Sequence, residues 1–144
     1  VVAPGDWGVY VHVPWCRARC PYCAFAVVPQ AGPVDGGPFT DHVLRHLRDR
    51  RDPFPGDPAT LFFGGGTPSR LPVRDLARIV AAVGPRGEVS VEANPEDVDD
   101  TWLSGVVREG VARISLGVQS FEPARAKRLG RARSSAVARE AVRR

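Results

Sequence analysis

The sequence predicts an α/β fold on a parallel sheet: the first four strand–helix units, (βα)4, of a partial TIM-type barrel, with residues 1–144 as one incomplete domain. Two observations carry this. A strand, a loop and a helix follow one another four times along the chain, the order that builds parallel sheets. The stretches with distinctive chemistry (Cys16 to Cys23, Gly64 to Thr67, Glu92 with Asn94, and Gln119) each come directly after a predicted strand. In a parallel barrel such positions converge on one mouth, where the active sites of this architecture lie.

Taken in order, Gly8 to Val13 alternates β-branched residues with Tyr10 and His12, a period-two strand stopped by Pro14. Tyr10 is placed opposite the valines, facing the mouth. After the cysteines, Ala24 to Val28 leads into a Pro- and Gly-rich stretch, Pro29 to Pro38, predicted to be a mobile loop. Thr40 reads as the N-cap of a helix with Val43, Leu44 and Leu47 on one side. His42 and His46 share a face of that helix, but no Glu follows His42 as a metalloprotease pattern requires, so both are expected at the surface.

Pro53 to Pro58 reads as a rigid turn and Ala59 to Phe63 as a buried parallel strand. Gly64-Gly65-Gly66-Thr67-Pro68 is then predicted to be a binding loop, because glycines let a backbone approach a ligand. A helix is expected over Val73 to Val83, a third strand over Glu88 to Glu92, and a helix from about Asp100 to Glu109, closed by Gly110. Val111 to Val118 is the fourth strand, and helical segments at Glu122 to Leu129 and Ser134 to Arg143 complete the chain. Glu92 at a strand end needs a cationic partner, either a ligand or an arginine such as Arg113.

The 144 residues fit within one ordinary domain, and 43% apolar content suffices for a core. No apolar run approaches the ~20 residues that cross a bilayer, and no cleavable leader is visible, so a cytoplasmic setting is expected. The chain has no methionine, begins Val1-Val2-Ala3 and stops inside a predicted helix, so it is expected to be the N-terminal part of a longer protein. Residues 125–144 hold eight basic groups against Glu140, which invites a nucleic-acid reading. These arginines lie on helical faces with no interleaved aromatics, and no nucleic-acid partner is expected.

All three cysteines lie in Cys16-Arg-Ala-Arg-Cys20-Pro-Tyr-Cys23. An odd, clustered count without a secretory leader argues against a disulfide framework. Three thiolates on a [4Fe–4S] cluster would leave one iron open to an outside ligand. Zinc is the rival, with His12 completing a Cys3His set, although structural zinc sites usually present their ligands as two separated pairs.

The cysteine spacing, preceded by Tyr10-Val-His-Val-Pro-Trp-Cys16 and joined by Gly-Gly-Gly-Thr-Pro, resembles the radical S-adenosylmethionine (SAM) family. Within it, the chain is similar to the branch of oxygen-independent coproporphyrinogen III oxidases and their haem-chaperone relatives. The resemblance implies that Cys16, Cys20 and Cys23 hold the [4Fe–4S] cluster. It also implies that SAM chelates the open iron, and that one electron cleaves it to a 5′-deoxyadenosyl radical. It places Tyr10, Gly65, Gly66, Thr67 and Glu92 on SAM, Tyr22 beside the adenine or a second SAM, and Gln119 with Arg131 around that second SAM.

Two residues beyond the third ligand the oxidases carry a further cysteine and the chaperones a phenylalanine; here Phe25 stands there. Ala24 departs from the chaperones' usual Asp. The resemblance therefore implies a haem chaperone. Its cargo would be haem or porphyrin, its partners an electron donor such as a flavodoxin or ferredoxin and a haem-acceptor protein. The oxidase is the alternative.

Overall fold

Parallel strands in chain order make up the sheet. The computed structural model describes residues 6–50, 54–131 and 134–144. Strands β1 (Gly8–Val13), β4 (Thr60–Gly65), β5 (Val89–Ala93) and β6 (Val111–Leu116) lie in the order β1-β4-β5-β6, every neighbouring pair parallel. A second, minimal ladder joins β2 (Trp15–Cys16) to β3 (Val28–Pro29). The helices are α1 (Gly37–Arg50), α2 (Val73–Val83), α3 (Asp100–Arg108), α4 (Pro123–Arg128) and α5 (Ser134–Arg143).

Alternation along the strands sorts side chains onto two faces. Val11, Val13, Leu61, Phe63, Val89 and Val91 point one way and are buried against Leu76, Ile79 and Val83 of α2 and Trp102 and Val106 of α3. On the other face Tyr10, 56% exposed, stacks on Phe62 with ring centroids 6.0 Å apart. The α/β expectation therefore holds: hydrophobic burial is on the helix side and the chemistry-bearing side chains stand on the other.

The caps explain several boundaries. Gly84, at φ +58°, closes α2 by donating its N–H to Val80 O. Asp99 opens α3 by accepting from Trp102 N at 2.7 Å. Helix α1 begins at Gly37, earlier than a Thr40 cap would allow. Asp35 Oδ1 accepts from Gly37 N at 3.1 Å, Pro38 occupies the first turn where its missing N–H costs nothing, and Thr40 is buried inside the helix. The predicted connector thus gives Pro29 to β3 and Gly37 with Pro38 to α1. Pro53, placed in the turn before β4, lies outside the described residues. His42 and His46 are exposed, with ring centroids 6.2 Å apart.

Two of the three consecutive glycines belong to a strand. Gly64 pairs with His12 and Gly65 with Val13. A Cβ on Gly64 would fall 2.6 Å from the Phe62 ring, and one on Gly65 2.7 Å from the His12 ring. These glycines make room for the aromatic rings of the open face. Only the end of the triplet is loop.

Several of the C-terminal basic residues find partners within the chain. Arg144 pairs with Asp100 at 2.8 Å, Arg125 with Glu122 at 2.7 Å, and Arg139 lies over the Phe121 ring.

Candidate functional site

The cysteine loop is closed at its base by backbone pairing. Val28 N donates to Pro14 O at 2.8 Å and Gln30 N to Cys16 O at 2.7 Å, so residues 17–27 form a hoop beyond the end of β1. Within the hoop Cys23 N donates to Cys20 O at 3.0 Å. Arg17 anchors it to the body of the protein by an ion pair with Asp97, whose other carboxylate oxygen accepts from Ser69 Oγ at 2.8 Å. Asp97 lies in the loop after β5, and its side chain is only 7% exposed. Nothing local in the sequence signals this pair, whose members are 80 residues apart. Replacing Asp97 with alanine should cost about 2 kcal/mol, because a buried acceptor for two donors is lost. A fall in the urea midpoint of unfolding would measure it.

Cys16, Cys20 and Cys23 are free thiols of intermediate exposure and open on a cleft of about 730 Å³. Its other walls come from the ends of β4, β5 and β6: Gly65, Gly66 and Thr67, then Glu92 and Asn94, then Gln119 and, from the segment after α4, Arg131. Tyr22 and Phe25 also line it. Of the residues that the resemblance places on the cluster or SAM, Tyr10 alone is not among the lining. It sits lower on β1, its hydroxyl 3.0 Å from His12 Nδ1, while His12 Nε2 is 2.8 Å from Ala26 O. Since Ala26 O is purely an acceptor, Nε2 carries the imidazole proton and the Tyr10 hydroxyl donates to Nδ1. Burial, and then the charge of Glu92, push the Tyr10 pKa up.

A run of polar contacts crosses the cleft. Thr67 Oγ1 donates to Cys16 Sγ at 3.5 Å and accepts from Asn94 Nδ2 at 3.3 Å. Arg131 Nη1 donates to Asn94 Oδ1 at 2.5 Å. The Tyr22 pKa is raised chiefly by burial; a hydrogen bond from Arg131 opposes this and the neighbouring Cys20 adds to it. Gln119 stands at φ +66°, the one non-glycine residue with positive φ among those described. Such strain persists only where surroundings hold it, and here it faces the cleft.

Glu92 Oε2 accepts from Gly65 N at 3.3 Å. Arg113, the arginine considered for it, pairs instead with Glu88, at 2.8 and 2.9 Å. An irregularity between Val89 and Ser90 sets Arg113 opposite Ser90, on the face that carries both Glu88 and Glu92. Among the described residues no arginine or lysine pairs with Glu92.

Among the described residues no three His, Cys, Asp or Glu side chains converge as a single mononuclear ion would require. Each thiolate of a cubane cluster takes a different iron, so its ligands need no common point. His12, the fourth ligand of the zinc reading, has both ring nitrogens engaged. Three thiols, a hydroxyl donor on Cys16 and a guanidinium beside Cys20 make a donor set that fits an anionic iron–sulfur cluster.

The radical SAM superfamily matches residues 10–144. The chain belongs to that superfamily. Among curated radical SAM proteins, it is 39% identical over 125 residues to the heme chaperone HemW of Synechocystis sp., covering 78% of this chain and 30% of the relative. It is 36% identical over 141 residues to HemW of Escherichia coli, covering 93% and 37% respectively. To HemW of Mycobacterium tuberculosis it is 37% identical over 155 residues, covering 96% and 39%. The chain thus spans between 30% and 39% of the length of these relatives. Among solved structures, coproporphyrinogen III oxidase (HemN) from E. coli, a radical SAM enzyme, superposes with a TM-score of 0.83 at 23% identity, over 96% of this chain and 33% of that one. The partial (βα) barrel read from the sequence is therefore the fold of the chain. No helix among the described residues is long and apolar enough to cross a membrane.

Proposed function

We propose that the complete protein holds a [4Fe–4S] cluster on Cys16, Cys20 and Cys23, binds SAM beside it, and acts on haem or a porphyrin. The observation that carries this reading is the cleft itself. It gathers three thiols, the end of the glycine triplet, the Glu92 carboxylate and Gln119 from beyond four separate strands, and Arg131 from the segment after α4. When bound, the cluster supplies one electron to the sulfonium of SAM. The chain's own residues do the rest. Glu92 receives the ammonium of the methionyl group, the backbone of Gly66 and Thr67 lines its path, Tyr22 offers an aromatic face, and the hoop screens the centre from water.

Two readings of the overall activity share this site. Gln119 and Arg131 both reach the cleft, which favours a catalytic protein that decarboxylates coproporphyrinogen III. Phe25, in the position where the oxidases carry a cysteine, and the heme-chaperone names of the curated relatives support a protein that carries haem to an acceptor. Either would draw electrons from a flavodoxin or ferredoxin.

The test uses the full-length protein reconstituted anaerobically. SAM is expected to change the electron paramagnetic resonance spectrum of the reduced cluster, and an unchanged spectrum at saturating SAM would refute the shared part of the reading. Incubation with coproporphyrinogen III and a low-potential reductant then separates the two. Protoporphyrinogen IX formation lost in Cys20→Ala establishes the oxidase; stoichiometric haem binding without decarboxylation establishes the chaperone.

A further inference from the structure

We infer that Thr67, Asn94 and Arg131 form a single hydrogen-bonded relay ending on the sulfur of Cys16, and that this relay sets the reduction potential of the cluster that Cys16, Cys20 and Cys23 would hold. The inference rests on the cluster reading above and gives Thr67 and Arg131 a task other than contact with SAM.

The geometry fixes the direction of every bond in the relay. Thr67 is 3% exposed and its hydroxyl has one proton, which goes to Cys16 Sγ at 3.5 Å. Its oxygen is then the acceptor for Asn94 Nδ2 at 3.3 Å. With its amide nitrogen turned to Thr67, Asn94 presents Oδ1 to the guanidinium of Arg131, at 2.5 Å. The opposite amide orientation would set two donors against each other, so Arg131 locks the amide that in turn locks the hydroxyl. Asn94 is itself held in place, its backbone N–H donating to Ser69 Oγ at 3.2 Å. At the far end Arg131 is half-buried.

The relay therefore points a donor at the sulfur of Cys16, with the positive charge of Arg131 behind it. A cluster gains negative charge when it is reduced, and hydrogen bonds to its sulfurs favour the reduced state and raise the potential. In a partly buried site these bonds act through a low dielectric and reinforce one another along the chain. Thr67 and Arg131 are positioning residues, acting on the cluster through its ligands.

The test is the midpoint potential of the reconstituted full-length protein without SAM, followed by electron paramagnetic resonance during a redox titration. Thr67→Val keeps the shape of the side chain and removes the donor, and should move the midpoint to more negative potential at unchanged iron content. Thr67→Ser restores the hydroxyl and should return it to the wild-type value. Asn94→Leu cuts the middle link and should give a smaller shift of the same sign. A midpoint unmoved by Thr67→Val, or Thr67→Ser behaving like Thr67→Val, overturns the relay while leaving the cluster reading intact. A wild-type protein that never takes up iron overturns both. If Thr67→Val does not fold, Asn94→Leu decides: an unmoved midpoint overturns the relay.

Discussion

Alanine in place of Cys16, Cys20 or Cys23 should empty the metal centre. Reconstituted anaerobically, the complete protein is expected to hold about four irons per chain, and each single variant is expected to fall close to zero, as iron and sulfide analysis would show. The effect is large because Cys16 at the base of the hoop and Cys20 and Cys23 within it would each hold a different iron, and losing one leaves two of three thiolates. The base of the hoop is tied by Val28 N to Pro14 O and Gln30 N to Cys16 O, bonds that a side-chain truncation leaves in place. The loss would therefore reflect the missing ligand rather than unfolding, and far-ultraviolet circular dichroism should be unchanged. Zinc near one per chain, with iron never taken up, would refute the assignment.

The second large effect is expected at Gly66. A Cβ there would lie 2.6 Å from Pro14 O, 2.8 Å from Pro14 C and 2.9 Å from Trp15 O, all backbone atoms that cannot rotate away. Gly66→Ala should destabilise the protein by roughly 3 kcal/mol, the upper end of what overpacking costs. Gly32→Ala is the matched control. No atom lies within 4 Å of its Cβ position, and its effect should be within about 0.5 kcal/mol of zero. Denaturant midpoints of the two variants make the comparison. A tolerated Gly66→Ala would mean that the glycine serves ligand approach, as its motif suggests, and not the packing of the loop against the end of β1.

These two sites also mark how far the sequence could be read. The cysteines declare themselves by count and spacing, and the strands by apolar runs that stop at Pro14 and Gly64. Gly8 to Val13 and Val73 to Val83 were legible to the residue, because alternation in one and a 3.6-residue period ending at Gly84 in the other leave little choice. What stayed hidden was set by contacts between distant segments. That Gly64 and Gly65 are strand residues depends on rings from Tyr10, His12 and Phe62 filling the space above them. That Arg113 stands on the same face as Glu88 and Glu92 depends on a one-residue irregularity between neighbouring strands. Arg17 with Asp97, and Thr67 with Asn94 and Arg131, are pairings across tens of residues, and no local pattern encodes them. Thr40 was misplaced for a nearer reason, since Asp35 competes for the same cap and Pro38 favours the earlier start.

Strand order that follows chain order has a consequence for synthesis. As the polypeptide leaves the ribosome, β4, β5 and β6 can each dock on the strand made before it, so the sheet grows from one side without rearrangement. The cysteine hoop, made near the beginning, has no such luck. Its tether Asp97 is translated 80 residues after Arg17, and Arg131 later still. Until then the hoop has its backbone ties, Val28 to Pro14 and Gln30 to Cys16, which are complete once residue 30 is made, but not the side-chain contacts that hold it to the sheet. Its anchoring to the body of the protein therefore comes late in synthesis, long after its own closure.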